Sequence, residues 1–228
     1  MIKLYFSLGP NPEKVAFLLE ELGLPYELVP VDTFKGEQHS PAYRAINPNA
    51  KTPVLIDGET IMFDSTAILL YLAEQQGKLL GAAEHRGQLL SWLMFVASGL
   101  GPFSDQAVHF RRMAPQPQDY AVNRYRRELM RHYDVLEGHL AGKDYLIGGA
   151  FTIADISAWG WVARAEFALG EGALEPYPNL RRWMAGIESR PALAIAKEKA
   201  VQLPLKRTFD EETMRALFPQ NYAQEAKA

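Results

Sequence analysis

Val54-Leu55-Ile56-Asp57-Gly58-Glu59-Thr60-Ile61-Met62-Phe63-Asp64-Ser65 reads as two short strands, a tight turn between them and the start of a helix. Val54 to Ile56 and Thr60 to Phe63 are apolar and β-branched, and the Asp57-Gly58 step between them is a hairpin signal. Asp64-Ser65 starts a helix that carries Ile68, Leu69 and Leu72 and closes near Gly77. Toward the N-terminus, Lys3 to Ser7 is a short β-type run. Asn11-Pro12 then opens a helix, because Asn is a preferred cap and proline suits the first helical position. Val15, Leu18, Leu19 and Leu22 follow as an apolar stripe, with Gly23 as the stop, and Tyr26 to Val31 forms a second strand.

The resulting order is β-α-β, a long connection, then β-β-α, which is the element order of a thioredoxin-like domain. From about Arg86 strand signals vanish. Helical patterns cover 86–99, 118–141, 153–169 and 178–190, broken by Gly99-Leu100-Gly101-Pro102, by Pro115 and Pro117, and by Gly148-Gly149. Thr152-Ile153-Ala154-Asp155 has the form of a capping box. These patterns divide the chain into an α/β domain at 1–78, a linker at 79–86, an all-α bundle at 87–200 and a peripheral, charge-rich extension at 201–228.

Composition narrows the chemistry. The chain has 228 residues, 48% hydrophobic and 22% charged, as expected of a soluble globular protein. Its net charge of −3 offers no basic surface for nucleic acid or an anionic membrane. It has no cysteine, which excludes disulfide scaffolds, thiolate metal sites and any attack by a protein thiol. The apolar run from Ala67 to Ala73 is far shorter than the ~20 residues that span a bilayer. With no signal-peptide pattern at Met1 to Phe6, a cytoplasmic location is expected. His132 and His139 lie seven apart with no third ligand, so no metal is expected.

Three segments at element ends carry candidate chemistry. Ser7-Leu8-Gly9-Pro10-Asn11-Pro12 feeds a helix N-terminus, where unpaired N–H groups favour a thiolate and the Asn11 amide could donate to its sulfur. The plainer reading is that Asn11 only caps the helix. Asn47-Pro48-Asn49-Ala50-Lys51-Thr52-Pro53-Val54 is a turn leading into a strand. A cis Thr52-Pro53 bond would turn the Val54 backbone outward to pair with an extended peptide, although a trans proline starting an edge strand is the commoner case. Asp64-Ser65 is either a routine cap or a holder of an amino-acid zwitterion, with Asp64 on the ammonium and Ser65 on the carboxylate. Together the three would suit a γ-glutamyl peptide bearing a thiol.

On the Asn-Pro…Thr-Pro-Val turn and strand, the acid-serine pair and Phe151-Thr152-Ile153-Ala154-Asp155-Ile156, the chain resembles the cytosolic glutathione transferases over essentially its whole length. The resemblance implies a thioredoxin-like βαβ-ββα domain with cis-Pro53 before the third strand, an all-helical C-terminal domain in which residues 151–156 are structural, and a homodimer. Pro10-Asn11 after Tyr5-Phe6, Gly99-Leu100-Gly101-Pro102, His109-Phe110, Ala114-Pro115 and Tyr120 followed by Arg124-Tyr125 are similar to the bacterial Nu-class enzymes, which reduce disulfides with glutathione. In that class a threonine and an asparagine address the sulfur. Asn11 matches the asparagine, while Gly9 stands at the threonine position and leaves Ser7 as a further donor.

Carried over by position, Thr52, Pro53 and Val54 would meet the cysteinyl backbone of glutathione, with Val54 pairing to it, and Asp64 and Ser65 would hold the γ-glutamyl end. Lys51 with Gln38 or His39 would hold the glycine carboxylate, and Arg131 would reach glutathione on the neighbouring subunit. Phe103, His109, Phe110 and Met113 would line the second-substrate pocket, and Tyr5 would be core. The expected activity is disulfide reduction with glutathione as cosubstrate and a small disulfide as partner. Conjugation of electrophiles or hydroperoxide reduction at the same site is the alternative, and a non-catalytic glutathione- or partner-binding module is another.

Overall fold

A computed structural model describes residues 1–222; the last six positions of the expected extension lie outside the described residues. Its sheet has the order β2-β1-β3-β4. β1 (Ile2–Phe6) runs parallel to β2 (Tyr26–Pro30) and antiparallel to β3 (Val54–Asp57), which forms the hairpin with β4 (Thr60–Phe63). α1 (Pro10–Leu22) makes the β1–β2 crossover and buries its apolar stripe with Leu4 and Phe6, while α3 (Ser65–Gln76) adds Ile68, Leu69 and Leu72. Both helices end on a left-handed glycine, Gly23 at φ 67° and Gly77 at φ 61°, whose N–H turns back to the last carbonyls. The long connection contains a short helix, α2 (Pro41–Ile46).

Asn11 does not cap α1. The helix begins at Pro10, Gly9 holds the cap position without a side-chain bond, and Asn11 lies inside the first turn. Two prolines in that turn cost nothing, since its N–H groups have no helical partner anyway. The Thr52–Pro53 peptide is cis, as the family resemblance implies and against the general preference for trans.

The second domain is helical: α4 (Arg86–Phe95), α5 (Gly101–Val108), α6 (Asp119–His139), α7 (Ile153–Val162), α8 (Ala165–Leu169), α9 (Pro178–Glu188) and α10 (Pro191–Val201). Gly99-Leu100-Gly101-Pro102 does not break the chain's helical path. Wide π-type turns at 96–100 and 109–113 join α4 and α5 into one run from 86 to 113. The glycines there serve close approach. A Cβ at Gly99 would sit 2.5 Å from His132 Nε2, and one at Gly101 2.8 Å from Trp161 Nε1.

The Thr152–Asp155 capping box forms as read, with Asp155 fully buried. Its carboxylate accepts from the Leu146 and Thr152 N–H groups and from Trp183 Nε1, each at 2.9 Å. Burial raises the Asp155 carboxyl above its ordinary range, and these hydrogen bonds oppose the rise. One apolar core runs through both domains, with Phe17 of α1 packed edge-on against Trp159 of α7.

The C-terminal extension is not peripheral. α11 (Glu211–Leu217) packs on the 3-10 turn Thr33–Lys35, Phe209 meets Phe34 edge-on at 5.9 Å, and the Lys206 N–H donates to Asp32 Oδ2 at 2.9 Å. Leu205 and Thr213 of the segment are buried, which its net composition hides. Among the described residues no helix is long and apolar enough to cross a membrane.

Candidate functional site

Two adjoining cavities, of about 270 and 400 Å³, lie between the small domain and helices α5 and α7. They share Asn11, Lys51, Thr52, Asp105 and Trp161. Leu8, Met113, Phe167, Phe209 and Phe218 make the first largely apolar, and Asn47, Asp64, Ser65, Thr66 and Gln106 make the second polar. Asn11 therefore stands where a polar ligand end meets an apolar one.

The first turn of α1 brings Asn11 there, and two donors fix its side chain. Asn11 Oδ1 accepts from Lys14 Nζ at 2.9 Å and from Ser65 Oγ at 3.3 Å. Its amide nitrogen is the end left for a ligand. Asp64 caps α3, accepting from the Thr66 and Ala67 N–H groups at 2.9 and 3.2 Å, so the structural reading of this residue holds. Its carboxylate also borders the polar cavity. Asp64 sits at φ 73°, a conformation that costs a non-glycine residue about 1–3 kcal/mol and persists where the surroundings over-determine it.

Thr52 and Val54, both expected at the ligand, are placed differently. Val54 is fully buried with a strand neighbour on each side, Tyr5 and Phe63, and borders neither cavity. Its backbone therefore faces protein, and the expectation that it meets the ligand fails. Thr52, outside the strand and just before the cis bond, borders both cavities, and Pro53 borders the polar one. Ser7 also lines the apolar cavity, with its hydroxyl paired to Thr52 Oγ1 at 2.5 Å.

Lys51 borders both cavities, with its ammonium 5.6 Å from the centre of the Phe218 ring. Gln38 is buried on the apolar cavity and donates through Nε2 to the Ala216 carbonyl at 3.4 Å. His39 Nε2 meets the same carbonyl at 3.2 Å, and His39 borders neither cavity. Arg131 is exposed on α6, pairs with Glu128 at 3.0 Å and also borders neither. Tyr5 packs edge-on against Tyr43, away from the cavities.

Of the four residues expected around a second substrate, Met113 lines the apolar cavity, and His109 backs it through an edge contact with Phe218 at 4.8 Å. Phe103 and Phe110 do not line it. Seven residues apart, they share the face turned toward α6, where Phe110 stacks flat on Tyr125 at 5.2 Å and Phe103 packs on Tyr125 and His132. Ser104, Asp105 and Val108 face the cavity instead.

Several residues escaped the sequence reading. Lys14 is 1% exposed on the polar cavity, and burial pushes its ammonium down to about 7, opposed by the charge of Asp64. Its signal was a lysine four positions before Leu18, on the apolar side of α1. Burial raises the Asp105 carboxyl, with Lys51 and His109 opposing, and burial lowers the His109 imidazole against the pull of Asp105. Trp161, Arg164 (paired with Glu13), Phe209 and Phe218 arrive from distant elements and carried no local signal. Among the described residues no cluster of three or more His, Cys, Asp or Glu could hold a metal ion.

Two family models match: the glutathione S-transferase N-terminal domain over residues 4–80 and the glutathione S-transferase C-terminal domain over residues 119–186. The disulfide-bond oxidoreductase YfcG of Escherichia coli (strain K12) is 40% identical over 213 residues, covering 88% of this chain and 96% of that protein. A glutathione transferase family member from Pseudomonas fluorescens pf-5, solved with two glutathione bound, is 33% identical with a TM-score of 0.81, covering 86% of this chain and 91% of its own. The glutathione transferase URE2P6 of Phanerochaete chrysosporium, solved with oxidized glutathione, is 37% identical with a TM-score of 0.81, covering 88% and 96%.

Proposed function

The chain belongs to the glutathione S-transferase family, and we propose that within it this protein reduces disulfides with glutathione as the thiol donor, as a Nu-class enzyme of the cytoplasm. The observation that carries this reading is the Asn11 amide, held by its oxygen so that its nitrogen end remains for a ligand where the polar and apolar cavities meet. The likeness to YfcG supports it.

Glutathione lies along the polar cavity, its γ-glutamyl ammonium on Asp64 and its α-carboxylate on Ser65 and the first N–H groups of α3. The Thr52 main chain pairs with the cysteinyl residue and Lys51 takes the glycine carboxylate, while Gln38, its amide nitrogen turned to the Ala216 carbonyl, does not reach it. The sulfur then meets Asn11 Nδ2 at the positive end of α1, which favours the thiolate. That thiolate attacks one sulfur of the disulfide R–S–S–R′. An S–S bond forms to glutathione, the old S–S bond breaks, and R′S⁻ leaves to take a proton from solvent. A second glutathione thiolate attacks the glutathionyl sulfur of the mixed disulfide, releasing RS⁻ and glutathione disulfide. No protein thiol takes part, in keeping with a chain that has none.

We read the active species as a homodimer. Ile61 and Phe63, 50% and 43% exposed on edge strand β4, and Met94 of α4, 50% exposed, offer apolar surface for a second copy, and Arg131, exposed on α6, would exchange its Glu128 partner to reach across. Sedimentation of the fully active protein as a monomer would refute this.

The test is glutathione-dependent reduction of 2-hydroxyethyl disulfide, coupled to glutathione reductase and NADPH. A rate well above the uncatalysed exchange, lost in Asn11→Ala with the fold intact, is the expected result. No rate in protein that binds glutathione by calorimetry would move the assignment to conjugation or to a binding module.

A further inference from the structure

Lys14 is the most deeply buried charge at the site and has no part in the exchange chemistry. Removing an ammonium from water costs several kcal/mol unless it is well paired, yet the protein builds a place for this one. The stem of Lys14 lies against Gly160 of α7, where a Cβ would come within 2.6 Å of Lys14 Cε. Its amine lies 5.1 Å from the centre of the Trp161 ring and donates to Asn11 Oδ1 at 2.9 Å. The groups facing it are Asn11 from its own helix, Asp64 and Ser65 from the start of α3, and Gly160 and Trp161 from α7, with Lys51 and, from α5, Asp105 lining the same cavity.

We propose that Lys14 is the positioning residue that decides which end of the Asn11 amide meets the glutathione sulfur. Below about pH 7, where Lys14 is charged, its ammonium has donors and no acceptor, so only the amide oxygen can turn toward it. The NH₂ end is then the one directed to the cavity junction, where it can donate to a thiolate. Ser65 cannot enforce this alone, because its hydroxyl both donates and accepts and so serves either end of the amide. Without the ammonium, the amide is free to present its oxygen to the sulfur, where it repels the negative charge. The inference rests on the reading of Asn11 as the sulfur donor.

The experiment measures the ionisation of bound glutathione, by thiolate ultraviolet absorbance against pH, and kcat/KM for 2-hydroxyethyl disulfide. It compares the native enzyme with N11A, K14M and the double variant. A hydrogen bond to a charged group predicts a loss of about ten- to a hundredfold in kcat/KM for N11A, with a higher ionisation midpoint. K14M is expected to reproduce both changes, and adding K14M to N11A should change neither further. Losses that multiply in the double variant, or a K14M midpoint equal to that of the native enzyme while N11A shifts, would overturn the proposal. An N11A midpoint equal to native would instead remove the sulfur-donor reading itself.

A second measurement does not depend on K14M folding. In the native protein the Asn11 side-chain NH₂ resonance, identified by its loss in N11A, should shift more on binding glutathione than on binding S-methylglutathione, which has no thiolate. Equal shifts would show that the NH₂ end does not face the sulfur, and would overturn the assignment.

Discussion

Phe218 of the C-terminal segment lies against both domains at once, its ring centre 5.6 Å from Lys51 Nζ and 4.8 Å from the imidazole of His109. Phe209, Leu217 and Phe218 all border the apolar cavity, and Gln38 and His39 both hold the Ala216 carbonyl beside them. The tail therefore forms a wall of the site. Ending the chain before Arg207 is expected to widen this cavity and raise turnover of bulky aromatic disulfides several-fold relative to 2-hydroxyethyl disulfide. An unchanged ratio between the two substrates would show that the tail does not select between them.

Asp155 gathers four hydrogen bonds at the start of α7, three of them from N–H groups that have left water. Asp155→Ala strands those donors, and breaking a buried charged network of this kind costs about 3–5 kcal/mol. Chemical denaturation should show a loss of that size. Any glutathione-binding defect should follow the fraction unfolded, because Asp155 lies outside both cavities.

Gly99 is required by its neighbour. Gly99→Ala would place a methyl 2.5 Å from His132 Nε2, whose ring is held by the bond between Nδ1 and the Glu128 carbonyl at 2.7 Å. Helix propensity alone favours alanine by up to about 1 kcal/mol. The clash should win, with a net loss of about 1–3 kcal/mol. A more stable variant would mean that α6 yields at His132.

Lys14 should make stability depend on pH. Burial brings its ammonium from 10.5 down to about 7 in the folded chain, while the unfolded chain keeps the ordinary value. The unfolded state thus binds more protons between those limits, and stability gains with rising pH there. Below about pH 7 the folded state carries the full cost of the buried charge, and that cost fades toward 10.5. Lys14→Met should therefore be more stable than the parent near pH 6, by up to a few kcal/mol. Thermal unfolding should show the gap shrinking as pH rises through this window, and a gap independent of pH would contradict the assignment.

The small domain was legible because its signals are local. The Asp57-Gly58 turn and the apolar stripe of α1 each involve residues within a few positions and form as read, as does the Thr152–Asp155 box of the helical domain. Gly99-Leu100-Gly101-Pro102 misled for the same reason. Locally it reads as a helix stop, but the glycines answer to His132 and Trp161, and π-type turns carry the helix onward.

What the amino-acid sequence determined by itself is the order of elements in the small domain, the Asp64 and Thr152 caps, the absence of a protein thiol, and the family to which those features belong. The tertiary structure alone decided that Thr52 rather than Val54 borders the cavities, because only sheet pairing shows that Val54 has a strand on each side. It alone showed that Lys14 lies buried beside Asn11 and that Phe218 closes on Lys51. These depend on contacts between residues far apart in the chain, such as Lys14 with Gly160 and Lys51 with Phe218, and periodicity within one element carries no information about its distant neighbour.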